Sequence, residues 1–370
     1  MQPPQLRDHI AAPPTDCCCL QTACHELIQR CCNGVLLYRR AANRATAAYI
    51  AWAAQAAQQR ATPRALTILP YQGRSLPVQR MAAFLSEYDD NELLATIVHG
   101  SLATGEDIAY SDFDAVAIIT DATMRDPSRL AALVRRLAHA RLIMFEYDPL
   151  QHHGWFVLTE ADLWSYSEAM LPSTILEQGR LLGRRQALDL QVRQRVGDGE
   201  ALQVFLSATR SLQANLSLGR AFRNMYHLKS TLSLFMLLPS LYLHAKTGRP
   251  FAKRLSFVAA QNDFSEQEWS AMARVSAIRD AWSYKISRLR RWVVARPWVL
   301  RRHVARLLAP PVPSSLRRMV SQELCCGMLT LAAAMAVRLG VSTVASNNGS
   351  SRRRSRRVAA ERGGSPEERA

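Results

Sequence analysis

At 370 residues, with 48% apolar and 21% charged side chains, the chain can bury one large core or two ordinary ones without relying on disulfides or metals. Its formal net charge of +17 at pH 7 suits a polyanionic partner such as nucleic acid, a nucleoside triphosphate or an acidic membrane surface. A membrane span is not expected: the most apolar run, Leu232 to His244, is short and contains Pro239, and Met328 to Ala345 carries Arg338.

Residues 1–34 read as a loose leader. Six of the eight cysteines crowd between Cys17 and Cys32, and the others are the neighbours Cys325 and Cys326. The opening MQPPQLRDHIAAPP lacks the apolar stretch of a secretory signal, so these read as reduced thiols of a cytoplasmic protein. Alanine-rich Val35 to Arg60 predicts a helix. Ala61 to Pro77, with three prolines and a glycine, reads as a connector within 35–75. Leu76 to Tyr88 resumes a helical period, with Val78, Met81, Phe84 and Leu85 on one face.

The pattern then changes to short apolar runs. Leu93 to Val98 predicts a strand ending at His99-Gly100-Ser101, and Phe113 to Thr120 predicts a second. Asp126 to Ala140 predicts a helix capped by Asp126 or Ser128. Arg141 to Tyr147 and Trp155 to Leu158 predict two further strands around the turn Asp148-Pro149-Leu150-Gln151-His152-His153-Gly154. Together these give an α+β fold: a small mixed sheet with flanking helices over 76–185, then a mostly α-helical domain over 186–345. In that second part, breaks fall at Pro239, Gly248 to Pro250, Pro297 and Pro310 to Pro313. Residues 346–370 read as a disordered basic tail.

Chemistry concentrates in ATIVHGSLATGEDIAYSDFDAVAII, residues 95–119. Residues two apart on a strand point to one side, so Asp112 and Asp114 project together while Phe113 packs behind. Paired carboxylates repel unless a cation lies between them, and Mg²⁺ (or Mn²⁺) is the natural occupant beside substrate phosphates. Gly100 lets the backbone approach a phosphate, and Ser101 adds donors.

An apolar strand, Gly100-Ser101, roughly ten residues, then Ser111-Asp112-Phe113-Asp114 resembles the hallmark of the DNA polymerase β-like nucleotidyltransferase superfamily. The succeeding helical region is similar to the antibiotic-modifying and RNA-modifying branches. The resemblance implies transfer of a nucleoside monophosphate, AMP from ATP, onto a hydroxyl, with Gly100, Ser101 and Ser111 against the nucleotide. It also implies a third metal-binding carboxylate from a neighbouring strand. The candidates are Asp148, Glu146 and Glu160; Asp148 is chosen because it ends a strand beside a polar turn. A lysine from the helical part commonly reaches the phosphates in this family, which makes Lys229 a candidate, although His227 to Thr231 lacks the glycine-rich loop of a P-loop. His152 and His153 could bind a metal or contact a phosphate, and His99 could reach the triphosphate. Trp269, Trp282 and Tyr284 read as packing residues.

A second reading is a catalytically inactive protein of this fold that binds nucleic acid through its helical part. Residues 281–318 hold Lys285 and nine arginines, interleaved with Trp292 and Trp298, and no acidic residue. The acceptor, whether small molecule, RNA or protein, is not specified by any motif.

Overall fold

The computed structural model describes residues 17–32, 39–86, 91–183, 186–195, 199–217, 219, 223–296 and 301–341. The expected tail at 346–370 and the first sixteen residues of the leader lie outside them. The described part of the leader, residues 17–32, is not loose. Helix α1 (Cys17–Cys32) packs on α2 (Arg39–Ala56), and buried Cys24, Ile28 and Cys32 share a cluster with Tyr49 and Trp52. Those three positions are four apart, hence one stripe of a helix. Burial pushes the Cys24 thiol up, as in an apolar core group.

Strand β1 (Ala61–Ile68) runs where a connector was expected. It pairs with a single partner, and an edge strand tolerates Pro63, which has no N–H to donate. Helix α3 (Leu76–Ser86) buries Val78 and Met81 as its period predicts. There follow β2 (Leu93–His99), the one-turn helix α4 (Ser101–Thr104), β3 (Asp114–Ile119), α5 (Asp121–Arg125) and α6 (Pro127–Tyr147).

Helix α6 overturns the strand expected at 141–147. It begins where Asp126 accepts the N–H groups of Ser128 and Arg129, with Pro127 in the first turn. Its buried positions Leu130, Leu133, Val134, Leu137, Arg141, Met144 and Phe145 recur three or four apart, and the stripe continues to buried Asp148. A strand would have alternated. The helix stops there because Pro149 disfavours helical backbone in the residue before it.

Next come β4 (Phe156–Thr159), α7 (Glu160–Trp164), α8 (Ser173–Gln178), β5 (Arg180–Leu181) and β6 (Leu188–Arg195). Strand β6 falls beyond Gln186, where a mostly α-helical region was expected. Its sequence LDLQVRQR alternates, with Leu190 and Val192 buried. The main sheet has the order β4-β3-β2-β5, with β2 antiparallel to both neighbours and β3 parallel to β4; β1 and β6 form a separate antiparallel pair. Ala115, Ala117 and Ile119 face the cluster built with α2 and α6. Ile97, Val116 and Ile118 face the other way, toward Leu66, Ile68, Leu190 and Val192.

The remaining described chain is helical: α9 (Glu200–Ser217), α10 (Met225–Phe235), α11 (Leu238–Thr247), α12 (Lys253–Gln261), α13 (Glu266–Asp280), α14 (Arg288–Ala295), α15 (Arg301–Leu308), α16 (Ser314–Met319) and α17 (Gln322–Arg338). They share a cluster that includes Phe205, Phe235, Tyr242, Trp269 and Leu331. Among the described residues no helix is long and apolar enough to cross a membrane.

Candidate active site

The site starts at the turn between β2 and β3. Gly100 adopts φ 66°, and a Cβ there would lie 3.0 Å from Asp114 Oδ2. Only glycine combines that backbone with so close an approach to a carboxylate. His99 and Asp114 are direct partners in the β2–β3 register, so their side chains share a sheet face. Phe113 is buried in the core behind, and Asp112 and Asp114 emerge together in front. Their common neighbour is His153, whose Nε2 lies 3.4 Å from Asp112 Oδ2 and 3.1 Å from Asp114 Oδ1.

Gln151 holds this geometry. Its side chain accepts the Phe113 N–H at 2.9 Å and donates to the Phe113 carbonyl at 3.0 Å, as a neighbouring strand would. The same amide donates to the His153 carbonyl at 3.0 Å. The aspartate strand and the histidine loop are thereby locked together. A buried primary amide has both the donors and the acceptor this requires.

The opposite wall comes from the helices. Lys229 on α10 is fully buried, and its ammonium lies 2.8 Å from Asp112 Oδ1 and 2.7 Å from Asp148 Oδ2. Asp148 Oδ1 accepts the Leu150 N–H at 3.0 Å and the Tyr284 hydroxyl at 3.3 Å. Tyr110 supports the lysine from below: its hydroxyl donates to the Lys229 carbonyl at 2.9 Å, and its ring packs edge-on against Trp282.

Charge follows from this wiring. Burial pushes the Asp112 carboxyl up, but Lys229 and His153 outweigh it and hold the group well below the usual carboxylate range. Burial raises Asp148 too, and Asp112 adds to it against the pull of Lys229, so Asp148 stands at about 6. Burial disfavours protonated His153, yet Asp114 and Asp112 prevail and lift it to about 9. Lys229 loses by burial and gains more from its two carboxylates, so it stays charged.

Several expectations need correction. Asp148 does reach the site, but as the residue that ends a helix, and Lys229 stands between it and Asp112 where a shared metal ion was expected. On the strand expected at 141–147 Glu146 would share a face with Asp148; two residues apart on a helix place it on the other side, where it is half exposed and pairs with Arg80 at 2.9 Å. Glu160 lies past the far end of β4, accepting the Asp121 N–H, roughly 20 Å along the strands from Asp114. Lys229, expected to reach the phosphates, has its ammonium buried between two carboxylates. Ser111 is buried and its hydroxyl accepts the Ile108 N–H at 3.0 Å, so it shapes the turn. Ser101 remains at the turn, opening α4. Trp269 and Trp282 are buried packing residues, whereas Tyr284 contacts Asp148.

Sequence reading missed Gln151, Tyr284, Lys253 and Arg279. Lys253, the first residue of α12, stays solvent-accessible. The surrounding protein and Arg279 lower its pKa, while Asp114 and Asp112 oppose them, which puts all four charges within electrostatic reach. Arg279 lies over the Tyr110 ring at 5.4 Å. Solvated cations on helices carry no local pattern, so only the fold could single these two out.

The donors fit a divalent cation. Asp112, His152 and His153 each offer a ligand atom within 4.8 Å of the others, Asp114 adjoins them, and buried His99 Nε2 has no hydrogen-bond partner. No family model, curated protein or solved structure matches this chain.

Proposed function

We propose that this chain is a metal-dependent nucleotidyltransferase that moves a nucleoside monophosphate, AMP from ATP, onto an acceptor hydroxyl. One observation carries the reading: Asp112 and Asp114 project together from the start of β3, with the Asp114 carboxylate seated against the bare backbone of the Gly100 turn. In this reading 76–185 is the catalytic unit and 186–345 the helical domain that walls it. A divalent cation on Asp112 and Asp114 would neutralise charge on the triphosphate and its leaving pyrophosphate.

The remaining roles belong to the chain. The Gly100-Ser101 turn admits the phosphates close to the backbone. Lys253, which feels the charges of Asp114 and Asp112, is the cation we assign to the triphosphate, the part first expected of Lys229. Lys229 instead fixes the Asp112 and Asp148 carboxylates as a buried cross-tie between sheet and helices. Asp148, raised to about 6 by burial, is better matched than an ordinary carboxylate to accept the acceptor's hydroxyl proton near neutral pH.

The test is incubation of purified protein with labelled triphosphates, Mg²⁺ or Mn²⁺, and acceptors drawn from aminoglycosides, lincosamides, RNA 3′ ends and proteins. Asp112→Asn and Asp114→Asn should each cost roughly a thousandfold in turnover, with circular dichroism unchanged. A folded variant of either kind that keeps near-normal turnover overturns the assignment.

A further inference from the structure

We propose that His152 and His153 complete the cation site, making it a mixed nitrogen–oxygen centre that selects a first-row transition ion, Mn²⁺ in the first instance, over Mg²⁺. The inference rests on the reading of Asp112 as a cation ligand, and is independent of which group is transferred.

The geometry divides Asp112 between two partners. Oδ1 faces the Lys229 ammonium at 2.8 Å, and Oδ2 faces His153 at 3.4 Å. The lysine side of the carboxylate is therefore committed, and the open side is the one lined by imidazole. There Asp112 Oδ2 and Asp114 Oδ1 lie 3.4 and 3.1 Å from one imidazole nitrogen. Ligand atoms bonded at about 2.1 Å around one ion sit about 3 Å from each other. The second imidazole is close behind: the His152 and His153 rings meet edge-to-face with centroids 4.8 Å apart. The loop presenting them is held by Gln151, which bonds both the Phe113 backbone and the His153 carbonyl. Because the loop is fixed, binding costs the release of the proton on His153 rather than a rearrangement of the donors.

Donor chemistry sets the preference. Mg²⁺ favours oxygen and water ligands, while imidazole suits transition ions, whose affinity for nitrogen rises along the first row. Two carboxylates alone would leave the choice to Mg²⁺. Adding imidazole nitrogen to the same side moves it.

Calorimetric titration of the full chain with MnCl₂ and separately with MgCl₂, without nucleotide, measures the preference. Pulsed electron paramagnetic resonance of the Mn²⁺ complex reads ¹⁴N coupling directly on the unaltered protein. We expect Mn²⁺ to bind at least about tenfold tighter than Mg²⁺, with imidazole coupling. His153→Ala, or His153→Gln should alanine not fold, should cut the Mn²⁺-to-Mg²⁺ ratio several-fold and leave Mg²⁺ affinity near wild type. Tight Mn²⁺ binding without nitrogen coupling, or an unchanged ratio in the folded variant, overturns the inference and leaves nucleotidyl transfer standing. Loss of both ions' binding in Asp112→Asn supports the shared ligand. Absence of any metal binding by the unaltered protein would sink this inference and the metal-dependent reading together, while transfer without histidine ligation would sink only this one.

Discussion

The two walls of the site are built in different ways. The sheet wall is local: Gly100, Asp112 and Asp114 lie within fifteen residues, and one turn between paired strands sets their spacing. The helical wall is assembled from Asp148, Lys229 and Tyr284, which share no element and meet only when α6, α10 and the segment after α13 pack. A local wall keeps its geometry through strand register. An assembled wall needs a tie, and here the tie is a buried ammonium between two carboxylates. The first can be read in a short window, and the second is exposed to any change in packing.

The largest effect should come from cutting that tie. Lys229→Met leaves Asp112 and Asp148 buried without their cation and should cost about 3–5 kcal/mol, read by denaturant unfolding at pH 7. Adding Asp148→Asn removes one of the stranded charges and should restore part of the loss. If Lys229→Met costs under about 1 kcal/mol, the ammonium is not what joins the walls.

A second assembled aspartate gives a control far from the chemistry. Buried Asp162 accepts from Gln21 and Trp52 on one oxygen, with His25 at 2.8 Å, and from the Thr159 N–H and hydroxyl on the other. Burial pushes its carboxyl up, but His25 and Thr159 prevail and hold it below its ordinary value. A carboxyl lowered in the folded state contributes stability that is complete above its unfolded pKa of about 4 and is lost as pH falls through the lower folded value. Asp162→Asn should therefore lose about 2–3 kcal/mol at neutral pH and show a shallower decline under acid. Urea titrations from pH 7 to pH 2 check both. An unchanged acid limb would remove Asp162 as its source.

The local wall is best probed at Gly100. Gly100→Ala forces an L residue into φ 66° and presses a methyl group toward Asp114. The strain should cost about 1–3 kcal/mol, with a loss of turnover out of proportion to it because Asp114 is displaced. Thermal unfolding and turnover measured together decide this; normal turnover would show that the turn need not be so close.

The smallest effect belongs to Glu146→Gln. Its half-exposed pair with Arg80 should contribute less than about 0.5 kcal/mol, and turnover should be unaffected. Asp148→Asn, two residues on, should depress turnover strongly. Equal effects in the two variants would mean that the helical reading of 141–148 does not set the site.

Much of the first wall was legible in the sequence. Apolar runs around Gly100-Ser101 and Asp112-Phe113-Asp114 specified two paired strands, a tight turn and a forward-facing carboxylate pair. Each depends on neighbours along the chain and on a side-chain period of two. Strands β1 and β6 were not recognised: Pro63 disguised one, and the alternation LDLQVRQR was passed over in the other.

The segment 141–148 shows where local reading stops. Ile143, Phe145 and Tyr147 suit a strand, yet the apolar stripe begun at Leu130 continues at helical spacing, and packing of that stripe decided the matter. The change of period carries Glu146 away from the site and leaves Asp148 in it. The burial of Lys229, the clamp of Gln151 and the placement of Lys253 and Arg279 were likewise decided by tertiary structure. Residue type and spacing determine which face a side chain takes on its own element. Which partner it meets across tens or hundreds of residues depends on how the elements pack, and no short pattern in the sequence carries that.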